Sequence, residues 1–307
     1  MLLKKDRLSC LEPKSIMKKQ ELSKNKMGFS LIELSIVILV IGILVIGITK
    51  GSAVMTKAKL GSARALTNDS PVLQISDLFV WYEPVLKSSF TTANAFDATS
   101  LSGGWLDNSP SKSALNNAAA VGVVPLYEED GINSLPTVDF SAGAARLTFS
   151  SAYLNQKDYT IFVVEQKRSV TDSQRFLNLG DVAGINAFGY KLNTAVEGTT
   201  SAHTVTVPAL VGTAYTSRII TFLTDISVTN GRKAFVNGTA GTGVNSAAAI
   251  SVGATGVIGA DNSAGRNPYT GYISEVIIYY RALKADERND IQEYLSKKYG
   301  IKVAQSS

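Results

Sequence analysis

Glu33 sits inside FSLIELSIVILVIGILVIGI, a run from Phe29 to Ile48 that is otherwise polar only at Ser30 and Ser35. A carboxylate in such a run can do one kind of chemistry well, which is to pair with a cation. Left alone in hydrocarbon, an acid at a helix centre costs about 2.5–3.5 kcal/mol on insertion scales, so it requires a partner. Other chemistries are poorly provided for. Cys10 is the single cysteine and His203 the single histidine, which excludes an intramolecular disulfide, a thiolate cluster and a multi-histidine metal site. His203 lies in HTVTV, whose alternation reads as a surface strand position, and no other histidine is present to activate a serine. The glycine clusters GTAGTGVN and GATGVIGAD lack the Lys-Ser/Thr of a phosphate loop and read as strand connections. Glu128-Glu129-Asp130, beside Gly131, reads as a solvated turn, and Glu275 is the lone acid of its strand.

The elements that must position these residues follow from charge and periodicity. Of 30 basic and 25 acidic side chains in 307 residues, eight and three fall within residues 1–28, leaving 22 of each in the remainder. The basic patch of a nucleic-acid-binding domain is therefore absent from the bulk of the chain, and no nucleic-acid partner is expected. Lysines just ahead of an apolar run instead mark a cytoplasmic flank. As a helix, the 20 residues from Phe29 to Ile48 span about 30 Å, the thickness of a bilayer core. A signal peptide would be cut near Gly51-Ser52-Ala53, but the run is too long for one and Lys50 intrudes before the cut. A plain anchor explains the length and leaves Glu33 and the KMGFSLIEL boundary unexplained. Next, GSAVMTKAKLGSARALTND reads as an amphipathic stalk with Met55, Ala58 and Leu66 on one face, ending at Asn68-Asp69-Ser70-Pro71. From about Val72 the texture becomes short alternating runs, among them DLFVWYEP, PTVDF, ARLTF, DYTIFVVEQ, RFLNLG, SRIITFL, KAFVNG and GYISEVIIYY, all read as strands. Asn237-Gly238 supplies a hairpin turn. Many strands without interleaved helices indicate a β-sandwich or jelly roll. KADERNDIQEYLSKKYGI closes the chain as a helix with Arg288, Ile291 and Leu295 along one face and Gly300 as its stop.

The stretch KNKMGFSLIELSIVILVIGIL resembles the processing motif of type IV prepilins and pseudopilins. The resemblance implies that a prepilin peptidase cleaves between Gly28 and Phe29, on the cytoplasmic side, and methylates the new amino terminus at Phe29. The apolar segment is then kept, and Glu33 becomes the fifth residue of the mature chain. There it is placed to neutralise the Phe29 amine of another pilin-like subunit. Head-to-tail contacts of that kind do not close on themselves and so build helical filaments. Two departures stand out. Major pilins often carry a proline where this chain has Thr49-Lys50-Gly51-Ser52, and the leader is long for the family. A start at Met17 would give MKKQELSKNKMG, an ordinary basic leader without Cys10, and is the expected start.

The order of DLFVWYEP, LPTVDFSAGAARLTF, DYTIFVVEQKR, KAFVNG, YTGYISEV and IIYYRAL before a closing helix is similar to concanavalin A-like, laminin-G-type sandwich domains over roughly residues 75–301. Such domains bind glycans or extracellular proteins through rim loops, in some cases with calcium held by Asp and Asn. On that resemblance Trp105, Asp107 and Asn108, and Asp261 and Asn262 with Asn267, are the candidate ligand residues, offering stacking and oxygen ligands. Trp81, in a dense apolar strand, reads as core, whereas Trp105 is open between core and ligand. Calcium has no further support, and no other cofactor is expected. Glucanases of this fold use an E-x-D-x-E-like strand, because retaining hydrolysis needs two carboxyls about 5 Å apart. No such triplet occurs, and the chain is expected not to be an enzyme.

The expected fold class is thus a long transmembrane and stalk helix, then an all-β jelly-roll sandwich with a short C-terminal helix. Residues 1–28 form the leader, 29–69 the helix and 72–301 the lectin-like domain. The expected function is a minor or tip subunit of a pilus or type II secretion-type filament, displaying a binding domain. The expected location is the inner membrane, single-pass, before assembly, with the sandwich periplasmic or extracellular. The alternative is a single-pass anchored binding protein outside any filament, with a carbohydrate or protein ligand.

Overall fold

A computed structural model describes residues 30–305 apart from 92–99, 172, 183–185, 192–194, 201–202, 209–213 and 245–250, with backbone alone at 46–53, 191, 195–200 and 203–208. Gly28, Phe29, Cys10 and Met17 lie outside the described residues. The chain divides into two compact units, Met1–Gly51 and Ser52–Ser307.

Helix α1 runs from Leu31 to Asn68. Ser30 and Glu33 start it as a capping box: the Glu33 carboxylate accepts the Ser30 N–H at 2.9 Å, and the Ser30 hydroxyl accepts the Ile32 N–H at 3.3 Å. The large apolar side chains from Leu31 to Val45 are exposed on every side of the helix, from 48% at Val40 to 87% at Leu31. Among the described residues, however, no helix is long and apolar enough to cross a membrane. The expected fold class is corrected at its first element on this finding, and with it the single-pass inner-membrane location.

Among the described residues, the second unit contains fifteen strands. In chain order they are β1 (Leu78–Tyr82), β2 (Ala119–Ala120), β3 (Leu126–Glu128), β4 (Thr137–Asp139), β5 (Leu147–Ser150), β6 (Tyr159–Lys167), β7 (Arg175–Asn178) and β8 (Ala187–Lys191). They continue as β9 (Ala195–Thr200), β10 (His203–Pro208), β11 (Ser217–Thr224), β12 (Arg232–Val236), β13 (Thr239–Ala240), β14 (Thr255–Ile258) and β15 (Gly271–Tyr279). One sheet has the order β13-β12-β11-β6-β15-β4-β3, with β1 also paired to β15; the other runs β10-β9-β8-β7-β14-β5-β2. The sheets pack face to face as a β-sandwich. Ile161 and Val163 of β6, Phe222 of β11 and Ile278 of β15 meet Phe149, Phe176, Phe188 and Ile258 of the opposite sheet. The alternate residues Phe162, Val164 and Ile277 point away from that core, onto Ile291 and Leu295 of helix α2 (Ala285–Tyr299). Because the first sheet is covered on both faces, β6 and β15 read as nearly continuous apolar runs rather than clean alternations. The turn of α1 at Ala63 joins this second core.

Helix α2 is tied at both ends. Gly300 takes φ 64° and donates its N–H to the Ser296 carbonyl, ending the helix. At the start, Glu287 accepts the Lys284 N–H at 2.9 Å and holds Arg281 through two bonds of 2.7 and 2.8 Å. The Arg281 bonds, above all, bring the Glu287 carboxyl down to about 2. A carboxyl lowered on folding adds stability above its unfolded range near 4.5 and loses it as the pH falls toward 2. Both side chains are about a quarter exposed, 25% and 27%, so solvent screening reduces the expected cost of Glu287→Gln to about 1 kcal/mol at pH 7. Urea titrations at pH 7 and near pH 2 check this: the gap between wild type and variant closes at the lower pH. An equal gap at both would show that the ion pair is not its source.

Candidate functional site

The residues singled out in the sequence are mostly consumed inside the protein. Trp105 is fully buried, and its indole N–H donates to the Glu83 carbonyl at 3.1 Å. Asp107 accepts the backbone N–H groups of Trp81 and Ser109 at 2.9 and 2.8 Å and the Ser109 hydroxyl at 2.6 Å. Asn108 bonds the hydroxyls of Ser88 and Ser89 at 2.7 and 2.9 Å. These three residues fasten the loop after β1 to the sandwich. Asp261 is fully buried, with Asn178 and Asn267 amides at 3.2 and 3.1 Å, and Asn262 accepts the Arg266 N–H at 3.0 Å to close the same loop. The structure does not bring the Asp107 and Asp261 loops into one cluster, and among the described residues no group of three or more His, Cys, Asp or Glu could hold a metal ion. Glu33 stands at the start of α1, one oxygen engaged by the Ser30 N–H. His203 begins β10.

Two buried carboxylate networks were not visible as pairs in the sequence. A register shift between Ile273 and Glu275 against β6 keeps Ile273 and Val276 in the inter-sheet core while turning Glu275 toward α2. There Glu275 accepts Trp81 Nε1 at 2.7 Å, the Tyr294 and Tyr299 hydroxyls at 2.9 Å each, and Lys298 Nζ at 2.9 Å. Lys298 also reaches Glu83 at 3.3 Å, and Glu83 accepts the Val85 and Leu86 N–H groups at 2.9 Å each. Burial, then Glu275 itself, pushes Tyr294 and Tyr299 well above ordinary phenols, so both stay protonated and donate. The second network lies between the sheets. Glu165 of β6 accepts the Tyr190 hydroxyl at 2.5 Å and that of Tyr269, with Arg218 at 3.5 Å. Burial raises the Glu165 carboxyl, and Arg218 offsets only part of that. All three carboxylates are fully buried, so these networks position elements and present no charge to a ligand.

The surface offers a groove instead. It measures about 640 Å³ and is walled by Leu78, Phe79, Leu115, Tyr153 and Tyr280, with Ser111, Ser113, Asn116 and Ser150 among its polar lining. The sequence places these residues far apart; the sandwich gathers them where β1 begins, β5 ends and β15 has just ended. Phe79 stacks on Tyr153 at 6.1 Å and 13°, and Tyr280 meets Tyr153 edge-on at 5.0 Å. The Asp77 carboxylate beside Tyr280 pushes that phenol up to about 12, and the Tyr280 N–H donates to the Asp77 carbonyl at 3.0 Å. Asp77 is in turn held by Arg281 at 3.2 Å. The paired tyrosines of IIYYRAL were the available signal: on a strand one of two neighbours must face each way, and here Tyr279 is buried while Tyr280 lines the groove.

No protein-family model and no curated protein matches the chain. Solved structures do resemble it. Domain 4 of AbnA, a GH43 extracellular arabinanase from Geobacillus stearothermophilus, in complex with arabinotriose, is 13% identical with a TM-score of 0.49, over 73% of this chain and 98% of that one. Trypanosoma rangeli sialidase is 13% identical with a TM-score of 0.47, over 73% of this chain, which spans only 33% of the sialidase. The CBM40 of Ruminococcus gnavus IT-sialidase, bound to α2,3-sialyllactose, is 19% identical with a TM-score of 0.37, over 44% of this chain and 82% of that one. At these values the likeness assigns neither ligand nor activity. The expectation that the chain is not an enzyme is nonetheless withdrawn, because a missing carboxylate triplet in sequence does not exclude acids brought together by folding.

Proposed function

We propose that this chain is a pilin-like display subunit, in which the N-terminal helix packs against the helices of like subunits and the β-sandwich is carried as a binding head. The observation that carries this reading is the apolar surface of α1: every large side chain from Leu31 to Val45 is at least 48% exposed. A helix that is apolar all round is stable only when buried. Glu33 selects the kind of cover. Its carboxylate spends one oxygen on the local Ser30 N–H, and a cation supplied by a neighbour answers the other. On this reading a prepilin peptidase cleaves between Gly28 and Phe29, the methylated Phe29 amine is that cation, residues 29–69 form the assembly helix and residues 72–301 the head.

The test compares wild type, Glu33→Gln and Ile38→Asp in sheared, pelletable assemblies from the native host, with the mature amino terminus read by mass spectrometry. N-methyl-Phe29 is expected in all three. Recovery in the pellet is expected to fall at least about fivefold in both variants, since a buried charge left without its partner typically costs about 3–5 kcal/mol. Circular dichroism of the head is expected to be unchanged. Equal recovery of the three forms, or an intact leader on the wild type, would overturn the reading.

A further inference from the structure

We infer that the cavity between the C-terminal part of α1 and the sandwich binds a small organic anion, a carboxylate carried on an apolar body. This goes beyond the assembly reading and is independent of it, because every wall lies within the unit Ser52–Ser307. The cavity holds about 370 Å³, inside the range of roughly 300–1,000 Å³ usual for small-ligand sites. Thr56, Lys57, Leu60 and Arg64 come from one face of α1, since residues about four apart stack along a helix. The segment after β1 gives Val85, Leu86 and Phe90, and Tyr127 of β3 and the turn beyond it complete the wall. Leu60, Val85, Leu86 and the two rings supply apolar surface. Phe90 meets Tyr127 edge-on at 5.3 Å and stacks on the buried Trp105 at 6.3 Å. A wall braced in this way keeps its shape before a ligand arrives, which lowers the entropic cost of binding.

The cavity has an excess of donors over acceptors. Arg64 is half-buried, and its Nε–H donates to the Val85 carbonyl at 2.8 Å. That bond fixes the guanidinium, while the four N–H groups on its Nη atoms meet no acceptor among the described residues. Lys57, exposed at the same cavity, forms no ion pair among the described residues, although Glu129 is part of the lining. Lys87 is a further cation of the lining, and Glu129 its one carboxylate. Burial pushes the Tyr127 phenol up to about 12, so its hydroxyl stays a donor, and it too has no acceptor among the described residues. A guanidinium anchored by one bond, with its fork still open, pairs with a carboxylate through two parallel bonds. An inorganic anion would leave the apolar wall uncovered, and a neutral molecule would leave Arg64 and Lys57 unanswered.

The experiment titrates the full-length protein by calorimetry with octanoate and 1-naphthoate. Each is compared with its neutral amide, and inorganic phosphate serves as an anion without an apolar body. At least one carboxylate is expected to bind saturably, at least about tenfold more tightly than its amide or phosphate. Arg64→Gln is expected to weaken it by about tenfold or more, Lys57→Glu by about fivefold and Tyr127→Phe by about threefold. Circular dichroism confirms that each variant is folded, and the exposed Lys57 keeps the test decisive if Arg64→Gln disturbs the junction. No carboxylate binding up to about 10 mM, an amide or phosphate that binds as tightly, or binding unchanged in both Arg64→Gln and Lys57→Glu would overturn the proposal. The last result is what adsorption to the exposed apolar side chains of Leu31–Val45 would give. Glu33-dependent pelleting reads a different part of the chain, so either proposal can fail alone.

Discussion

Lys298→Met is expected to lower the unfolding free energy of the sandwich by about 3–5 kcal/mol, the usual cost of removing one partner from a buried ion pair. Lys298 is 3% exposed and is the cation that meets two fully buried carboxylates, Glu275 at 2.9 Å and Glu83 at 3.3 Å. The methionine fills much the same space, so the loss reports charge rather than cavity. The two carboxylates keep the donors Trp81, Tyr294, Tyr299 and the Val85 and Leu86 amides; they lose the charge that neutralised them. In a domain of this size each kcal/mol moves the melting temperature by roughly 2–4 °C, so a fall on the order of 10 °C should be seen by calorimetry. Adding Glu275→Gln to Lys298→Met removes one orphaned charge and is expected to recover part of the loss, because residues in one network are not additive. A fall under about 1 kcal/mol, or no recovery in the double variant, would mean that the network does not hold α2 on the sheet.

Trp105→Ala is expected to cost about 3–5 kcal/mol as well, by a different mechanism. The indole is fully buried, stacked on Phe90 at 6.3 Å and tilted against Tyr82 at 5.7 Å. Truncation leaves a cavity that this close-packed aromatic group cannot fill, and it deprives the Glu83 carbonyl of its donor. Trp105→Phe keeps most of the packing and loses the 3.1 Å bond, for an expected cost of about 1–2 kcal/mol. Chemical denaturation separates the two. If Trp105 were a ligand-stacking residue instead, Trp105→Ala would leave the midpoint unchanged and alter only glycan binding.

What local chemistry alone can specify, the sequence did. The hairpin at Asn237-Gly238 has positive φ at both residues, 48° and 80°, as a two-residue turn between twisted strands requires. Gly300 stops α2 at φ 64°. DYTIFVVEQ, SRIITFL and GYISEVIIYY coincide with β6, β11 and β15, because β-branched and aromatic runs between turn residues have few other ways to bury themselves. Trp81 is 1% exposed, a core residue. The transmembrane reading of Phe29–Ile48 rested on the length of the apolar run and the lysines ahead of it, and it does not stand against the helices as described.

The partners of charged and aromatic groups were decided only by the tertiary structure. Glu275 reads in sequence as one acid on one strand. A bulge in β15 turns it toward α2, where Lys298 meets it together with Glu83 from the end of β1. Asp107 and Trp105, in a polar glycine-containing loop, look available to a ligand until the loop folds back onto Trp81 and Glu83. Tyr153 and Tyr280 are 127 positions apart in the chain and 5.0 Å apart in the groove. Strand periodicity fixes which face a side chain takes; which side chain waits on the other side depends on register, bulges and sheet order, and those are set by packing among residues far apart in the chain.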